Sequence, residues 1–408
     1  MSDLAWSDAQ LKEVAATYGT PCYVYRQDLL EQFADAWINA LGDRGTVCYA
    51  VKANSNLAVL QILARRGCGF DIVSEGELHR VIAAGGSPKK IVFSGVGKSF
   101  DAIRFALEQQ IKCFNVESLR ELDHINSIAE SMGVIAPVSL RVNPNVDAKT
   151  HPYISTGLKE NKFGIAADQV IDAYQHASSL TSLSVIGIDC HIGSQITEAE
   201  PFMDALEKVL AWVEELESLG ITLQHIDLGG GLGVRYDNET PPQPAEIIAR
   251  VLARLANRTE QLIFEPGRSI TANAGVLLSQ VLLTKHNGEH NFAIIDAAMN
   301  DLARPSLYQS WQRIQVIDPP EDATPLHWDI VGPICETGDF IAKQRPLCLA
   351  EQSLLVIHSA GAYGFSMASN YNSRRRAAEI ILSDRCMHLA RARESYTSLY
   401  RDEYLFEG

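Results

Sequence analysis

Eight short apolar segments recur between residues 46 and 265, and the residue at or just past the end of nearly every one is polar, ionisable or glycine. The segments are 46–50, 69–72, 91–94, 111–116, 137–142, 184–189, 225–228 and 262–265. With them come Lys52, Asp71, Ser94, Glu117, Asn143, His191, the run Gly229-Gly230-Gly231, and Glu265 with Arg268. Chemistry gathered at one end of a repeated strand is the signature of a (β/α)8 barrel, whose active site lies at the strand C-termini. Helical period fills the gaps: 56–66 carries Leu57, Leu60 and Ala64 on one face, and 75–84 carries Leu78, Val81 and Ile82. The stretches 201–219, with Leu206, Val209, Leu210 and Val213, and 244–256 repeat the pattern. The gap 143–183 is longer than a helix requires, so 143–165 is expected to form a loop near the mouth of the site.

After Ser269 the period changes. The runs 276–284, 292–296, 328–331 and 353–359 read as strands separated by turn residues, which makes the C-terminal region mainly β. An early strand at 22–26 (CYVYR) precedes the barrel and is expected to join that sheet. The expected division is therefore a barrel over 28–275 and a discontinuous β domain over 1–27 and 276–408, with the polar stretch 393–404 unassigned.

Composition narrows the class. The chain has 408 residues, 46% hydrophobic and 21% charged, enough for a barrel plus a second domain. A net charge of −15 argues against nucleic-acid and anionic-membrane partners, while local arginines leave an anionic substrate open. No apolar run is long enough to span a bilayer, and the acidic, polar start Ser2-Asp3-Leu4-Ala5-Trp6-Ser7-Asp8 lacks the basic and apolar regions of a secretory signal. A cytoplasmic location is expected. The cysteines at 22, 48, 68, 113, 190, 335, 348 and 386 show neither CxxC pairing nor disulfide-like spacing, so most read as buried thiols in a reducing compartment. No metal is expected.

Lys52 follows a buried strand and sits between Val51 and Ala53. Most lysines are surface charges, but one at the lip of a barrel can be desolvated, which makes its amine a nucleophile toward aldehydes. A barrel phosphate site is expected after the seventh and eighth strands, where Gly229-Gly230-Gly231-Leu232-Gly233 and Glu265-Pro266-Gly267-Arg268 lie. Glycines there let backbone N–H groups approach an anion, although GGGLG alone could be a tight turn. It is not a dinucleotide fingerprint, because the third glycine of GxGxxG is missing. Glu265 could simply pair with Arg268, or its carboxylate could hold a pyridine nitrogen protonated. An aldehyde-capturing lysine, a phosphate cradle and an acid for a ring nitrogen together describe pyridoxal 5′-phosphate, with His191 covering the ring face.

The segments 49–56 (YAVKANSN), 93–98 (FSGVGK), 141–165, 191–195 (HIGSQ), 229–236 (GGGLGVRY), 265–268 (EPGR), 299–308 (MNDLARPSLY), 331–339 (VGPICETGD) and 361–373 (GAYGFSMASNYNS) occur in this order. Through them the chain, from about Gly19 onward, resembles the diaminopimelate decarboxylase family, within the alanine-racemase-like, fold type III enzymes that use pyridoxal phosphate. The resemblance implies that Lys52 carries the cofactor and that His191 stacks on it. It also implies that Ser194, Gly230, Gly231, Gly267 and Arg268 surround its phosphate side, Glu265 meets its ring nitrogen, and Tyr363 helps hold it. Asp71 is placed with the cofactor residues as the ionisable group at the second strand end. Substrate contacts fall on Arg268, Arg304, Tyr308, Glu336 and Tyr363, and the proton donor on Cys335. Arginine and tyrosine suit a distal carboxylate, and glutamate suits an ammonium. A cysteine can return a proton to carbon and be recharged from water.

The implied activity is decarboxylation of meso-2,6-diaminopimelate to L-lysine, in a homodimer with a site shared between subunits. A decarboxylase of ornithine, lysine or carboxynorspermidine would share most of these residues, but Arg304 would repel a terminal ammonium. A racemase would need a second base opposite Lys52. A non-catalytic pyridoxal-phosphate binder would lack the C-terminal set. Ala298 and Ser306 stand where the family usually has glycine and alanine, and Arg375 follows the last motif; none of the three coincides with an implied role.

Overall fold

The computed structural model describes residues 6–147, 162–320, 324–384 and 386–406. Two compact units divide the chain: Glu31–Val234 with Glu239–Ile270, and Met1–Leu30 with Arg235–Asn238 and Thr271–Gly408.

The first unit is a closed parallel barrel. Its strands are β1 (Gly45–Ala50), β2 (Gly69–Ile72), β3 (Ile91–Phe93), β4 (Cys113–Val116), β5 (Ala136–Asn143), β6 (Leu183–Asp189), β7 (His225–Asp227) and β8 (Gln261–Phe264). Each pairs in parallel with the next, and Leu262, Ile263 and Phe264 of β8 pair with Gly45, Thr46 and Val47 of β1 to close the ring. Helices cover its outside, so β2, β3 and β4 are buried along their whole length, as parallel strands require. β4 begins at Cys113 rather than at Ile111. Gln110 adopts a φ of 55° and the Ile111 N–H closes onto the Ala106 carbonyl, so those residues finish the preceding helix.

Local capping sets the strand-to-helix turns. Ser74 accepts from the Glu77 N–H at 3.2 Å while Glu77 accepts from the Val73 N–H at 2.7 Å. Ser118 and Glu121 repeat this arrangement, with the Glu117 N–H donating to Glu121 at 2.8 Å. These reciprocal bonds are capping boxes shifted by one residue, the Glu accepting from the N–H just before the cap, and they fix the residue that follows each strand. The first outer helix, Leu57–Arg65, buries Val59, Leu60, Ile62 and Leu63; Leu57, expected on that face, occupies the first turn after the Asn56 cap and is exposed. Of the long β5–β6 connection, residues 148–161 lie outside the described residues, so the expected loop is not described there. Ile165 and Ala166 pair with the end of β5.

In the second unit the early strand Cys22–Arg26 runs antiparallel to Gly275–Asn287 and parallel to Ala378–Leu382. It thus lies inside the β sheet, which makes the β domain discontinuous. The strands His290–Ile295, Leu326–Val331 and Leu354–Ile357 occupy runs read from the sequence. Ile314–Ile317, Phe340–Leu347, Ala378–Leu382, Met387–Arg391 and the helix Asp8–Tyr18 were not foreseen. Phe340–Leu347 carries Lys343, Gln344 and Arg345, and much of it is exposed, so its pattern lacks apolar alternation. Leu11 and Val14 of the helix pack with Val24, Leu278, Val356 and Ile380 in one core. The Tyr25 hydroxyl donates to buried Glu379 at 2.8 Å, and Glu379 is also paired with Arg391. A buried carboxylate is tolerated there because it is hydrogen-bonded and charge-paired.

Candidate active site

Lys52 lies in the short turn Val51–Ala53 immediately after β1. Its Nζ is 2.7 Å from Asp71 Oδ2; the Asp71 side chain is fully buried and that of Lys52 is 36% exposed. The surroundings therefore differ from the apolar setting expected for an activated amine. An ion pair to the β2 carboxylate, rather than desolvation alone, orients the lysine.

At β6 the chain turns through Cys190, His191 and Gly193, and at β7 through Gly229, Gly230 and Gly231. The Gly230 N–H donates to His191 Nδ1 at 3.1 Å, which requires that nitrogen to be unprotonated. Burial, reinforced by the Arg141 and Lys52 charges, pushes the imidazole well below its usual range, so the ring is neutral at ordinary pH. The glycines have steric reasons. A Cβ on Gly230 would stand 2.1 Å from the Glu265 carbonyl oxygen, and one on Gly231, at a φ of 105°, 2.3 Å from that of Gly193. A Cβ on Gly267 would meet Ala53 and Ala50 at 3.0 and 3.1 Å. Arg268 is buried and donates to the Ser194 hydroxyl at 2.9 Å.

Glu265 follows β8 and is buried; Asn115 of β4 donates to it at 3.2 Å and to the Ser94 hydroxyl at 3.1 Å. Burial, then the charges of Asp227, Asp71 and Asp189, push its carboxyl well above the usual range. The barrel register explains this crowding: Arg141 of β5 pairs with Asp189 of β6, and Asp189 with Asp227 of β7. Asp189, Asp227 and Glu265 each bring a carboxylate oxygen within 4.8 Å of the others. Two like charges at about 4 Å repel by about 4 kcal/mol even at an effective dielectric of about 20. Arg141 offsets part of this, holding Glu117 at 2.8 Å and lying 3.9 Å from Asp189. Asp189, Asp227, Asn115 and Arg141 are not among the site residues expected from sequence, because a polar residue within or closing an apolar strand run reads as part of the strand. Their signal was a polar side chain within an otherwise apolar run.

These residues fit pyridoxal phosphate. A cradle that a Cβ would fill, an amine at the barrel lip and a buried acid suited to a ring nitrogen occur in one unit.

The β unit holds the other expected residues. Arg304 opens the short helix Arg304–Tyr308 and is buried, its guanidinium 5.2 Å from the Tyr236 ring centroid and 5.7 Å from that of Tyr308. The four-residue spacing puts Arg304 and Tyr308 on one face. Cys335 and Glu336 are exposed on a loop. Buried Asp339 shapes that loop by accepting from the Ile334 and Met299 N–H groups at 2.9 and 2.7 Å. The Cys335 N–H donates to Asn372 Oδ1 at 2.7 Å, and the Tyr371 hydroxyl to Glu336 at 3.3 Å. Ser306, set aside in the sequence reading, donates to the Gly338 carbonyl at 2.7 Å and so ties the helix that carries Arg304 to the Cys335 loop. Tyr363 is half-buried, with a φ of 54°.

Residues 27–272 match the family model for the pyridoxal-dependent decarboxylase, pyridoxal binding domain. The chain is 56% identical to diaminopimelate decarboxylase of Pseudomonas aeruginosa over 99% of both chains. It is 54% identical to that of Vibrio cholerae, over 97% of this chain and 95% of the relative. The chain belongs to the diaminopimelate decarboxylase family. A solved member from Helicobacter pylori, complexed with L-lysine, superposes with a TM-score of 0.93 at 44% identity, covering 96% of this chain and 99% of that one. The family's cofactor is pyridoxal phosphate, in agreement with the barrel residues described above.

The cradle gives a direct test. Gly230→Ala places a methyl against the Glu265 carbonyl, and should weaken cofactor binding by at least about tenfold, or ~1.4 kcal/mol. Titration of the stripped variant with pyridoxal phosphate, followed by absorbance, measures it.

Proposed function

We propose that this chain releases carbon dioxide from meso-2,6-diaminopimelate to leave L-lysine, the last step of lysine biosynthesis, with pyridoxal 5′-phosphate as cofactor. The observation that carries this reading is the 56% identity to a diaminopimelate decarboxylase over 99% of both chains. The bound L-lysine in the Helicobacter pylori structure corresponds to the expected product.

The cofactor, when bound, supplies an electron sink for the bond to carbon dioxide. Lys52 is the residue we assign to carry it, with Asp71 orienting the amine. Ser194, Gly230, Gly231, Gly267 and Arg268 would hold its phosphate side, His191 its ring face, Glu265 its nitrogen, and Tyr363 would complete the set. His191 stays neutral and so presents a flat ring without adding charge. Arg304 and Tyr308 would take the distal carboxylate and Glu336 the distal ammonium, with Arg268 and Tyr363 also facing substrate. A buried guanidinium repels a substrate that ends in an ammonium alone, which favours diaminopimelate over ornithine or lysine. Cys335 is assigned to protonate the carbon that loses carbon dioxide, and its exposure lets water recharge it. We further assign the lost carboxylate to the D-configured end, with Arg304, Tyr308 and Glu336 reading the L end.

We also infer a two-fold dimer in which Cys335 and Glu336 of one subunit complete the barrel site of the other. The reading rests on family resemblance and on the assignment of Lys52 and Cys335 to different units. A cytoplasmic location is proposed from the biosynthetic role assigned above; separately, no helix among the described residues is long and apolar enough to cross a membrane.

Incubation with meso-diaminopimelate, its L,L form, L-lysine, L-ornithine and L-arginine should release carbon dioxide rapidly from the meso substrate alone and yield L-lysine. Arg304→Ala should weaken the meso substrate by about 1.5–3 kcal/mol, the worth of one charge-assisted contact. Equal turnover of L-lysine or L-ornithine would favour a diamine-forming enzyme.

The dimer is tested by mixing Lys52→Ala and Cys335→Ala subunits under conditions where tagged pull-down shows exchange. Equal mixing makes about half the dimers mixed, each with one intact site, and restores about a quarter of the wild-type sites. Activity that stays at the level of the separate mutants would rule out the shared site.

A further inference from the structure

Asp227 plays no part in the assignments above, yet its carboxyl is wholly buried beside Glu265. One of its oxygens, Oδ1, accepts from the Gly229 N–H at 2.9 Å; the other, Oδ2, is buried with no donor. Glu265 receives the Asn115 amide on Oε1. Two cations act on Glu265 from a distance, but their direct ion pairs are with other acids, Lys52 with Asp71 and Arg141 with Glu117, with Asp189 next in reach of Arg141. The thiols of Cys48 and Cys113, near enough to feel the charges of Asp227 and Glu265, are both held neutral by burial. Asp227 and Glu265 bring carboxylate oxygens within 4.8 Å of each other, and Asp227 Oδ2 has no donor within hydrogen-bond distance; Asp189 Oδ1 is likewise without a donor, but Asp189 has Arg141 in reach, so the pair short of a hydrogen is Asp227 with Glu265. A hard divalent cation would need about six oxygen ligands, and two of the acid oxygens here already accept N–H bonds.

We propose that Asp227 and Glu265 share one proton, so that the pair presents a single negative charge, and that Asp227 is thereby a positioning residue for the carboxylate that meets the cofactor nitrogen. The proposal rests on the reading that pyridoxal phosphate binds at Glu265 and adds the residue that sets the charge of that acid. Without Asp227 as a donor, Glu265 would face the ring beside a second full charge or take up the proton itself. A protonated Glu265 would be a poor acceptor for a ring N–H.

The sign of the pH dependence follows. Burial, the largest cause for both acids, raises Asp227 to about 7 against the opposing Gly229 N–H and the Glu265 and Asn115 side chains, and pushes Glu265 well above its usual range, so the pair as a unit retains a proton. The folded chain therefore holds a proton that the unfolded chain has released, and this contribution to stability is lost as pH rises through the folded value. Asp227→Asn keeps a neutral donor and has no such proton to lose. From about pH 5 to about pH 8 the wild type should lose unfolding midpoint relative to Asp227→Asn.

The direct test is infrared spectroscopy of the full-length protein near neutral pH, before and after loading with pyridoxal phosphate, for wild type, Asp227→Asn and Glu265→Gln. We expect a protonated-carboxyl C=O component, seen as a wild-type-minus-variant difference, that persists on loading and is missing from each variant, since either amide replaces the shared proton while other buried acids such as Asp189 contribute equally to all three proteins. Circular dichroism checks folding, and if one variant fails to fold the other decides. Absence of that difference component for either folded variant, or its loss on loading, would overturn the proposal. Failure of the underlying cofactor reading is distinguishable: the difference component would behave as expected while pyridoxal phosphate left no trace on the protein.

Discussion

The structure of the site depends on the closed register of the barrel. Parallel pairing of Arg141 with Asp189 and of Asp189 with Asp227 puts a cation and two acids side by side, and Glu265 is added where β8 ends. Once the ring closes, these groups cannot reach water, so each charge must be met by a donor, a cation or a proton. The donors are already in place: the Asn115 amide, the Gly229 N–H and the Arg141 guanidinium. Such an interior is costly to fold, and it yields a fixed electrostatic environment beneath the barrel mouth, which is what a cofactor ring needs.

Around that constraint the two units carry different chemistry. The barrel supplies an amine, a glycine cradle and a neutral imidazole; the β unit supplies a buried guanidinium and an exposed thiol and carboxylate. The β-unit groups are not loosely held. Asp339 receives two backbone N–H groups from around the Cys335 loop, and Ser306 ties that loop to the helix of Arg304. Serine at 306 therefore has a contact that an alanine there could not make.

Much of this was legible because parallel barrel strands write themselves as short apolar runs with polar ends. The eight barrel strands fall within a few residues of the expected segments, and Lys52, His191, Glu265 and the glycine run stand where strand ends place them. What escaped was of two kinds. Strands such as Phe340–Leu347 are half exposed and rich in long polar side chains, so tertiary pairing rather than pattern makes them. Asp189 and Asp227 lie within strands, and nothing in a linear reading says that their side chains meet across the barrel. The environment of Lys52 also needed coordinates: flanking Val51 and Ala53 suggested an apolar pocket, whereas Asp71, distant in sequence, provides an ion pair.

The central claim is that the barrel presents Lys52 to the cofactor aldehyde. Borohydride reduction of the loaded protein, followed by proteolysis and peptide mapping by mass, measures it most directly. The account predicts a yellow protein that bleaches on reduction, with the cofactor mass on the peptide containing Lys52. The mass on a peptide containing any other lysine, or on none, would contradict it.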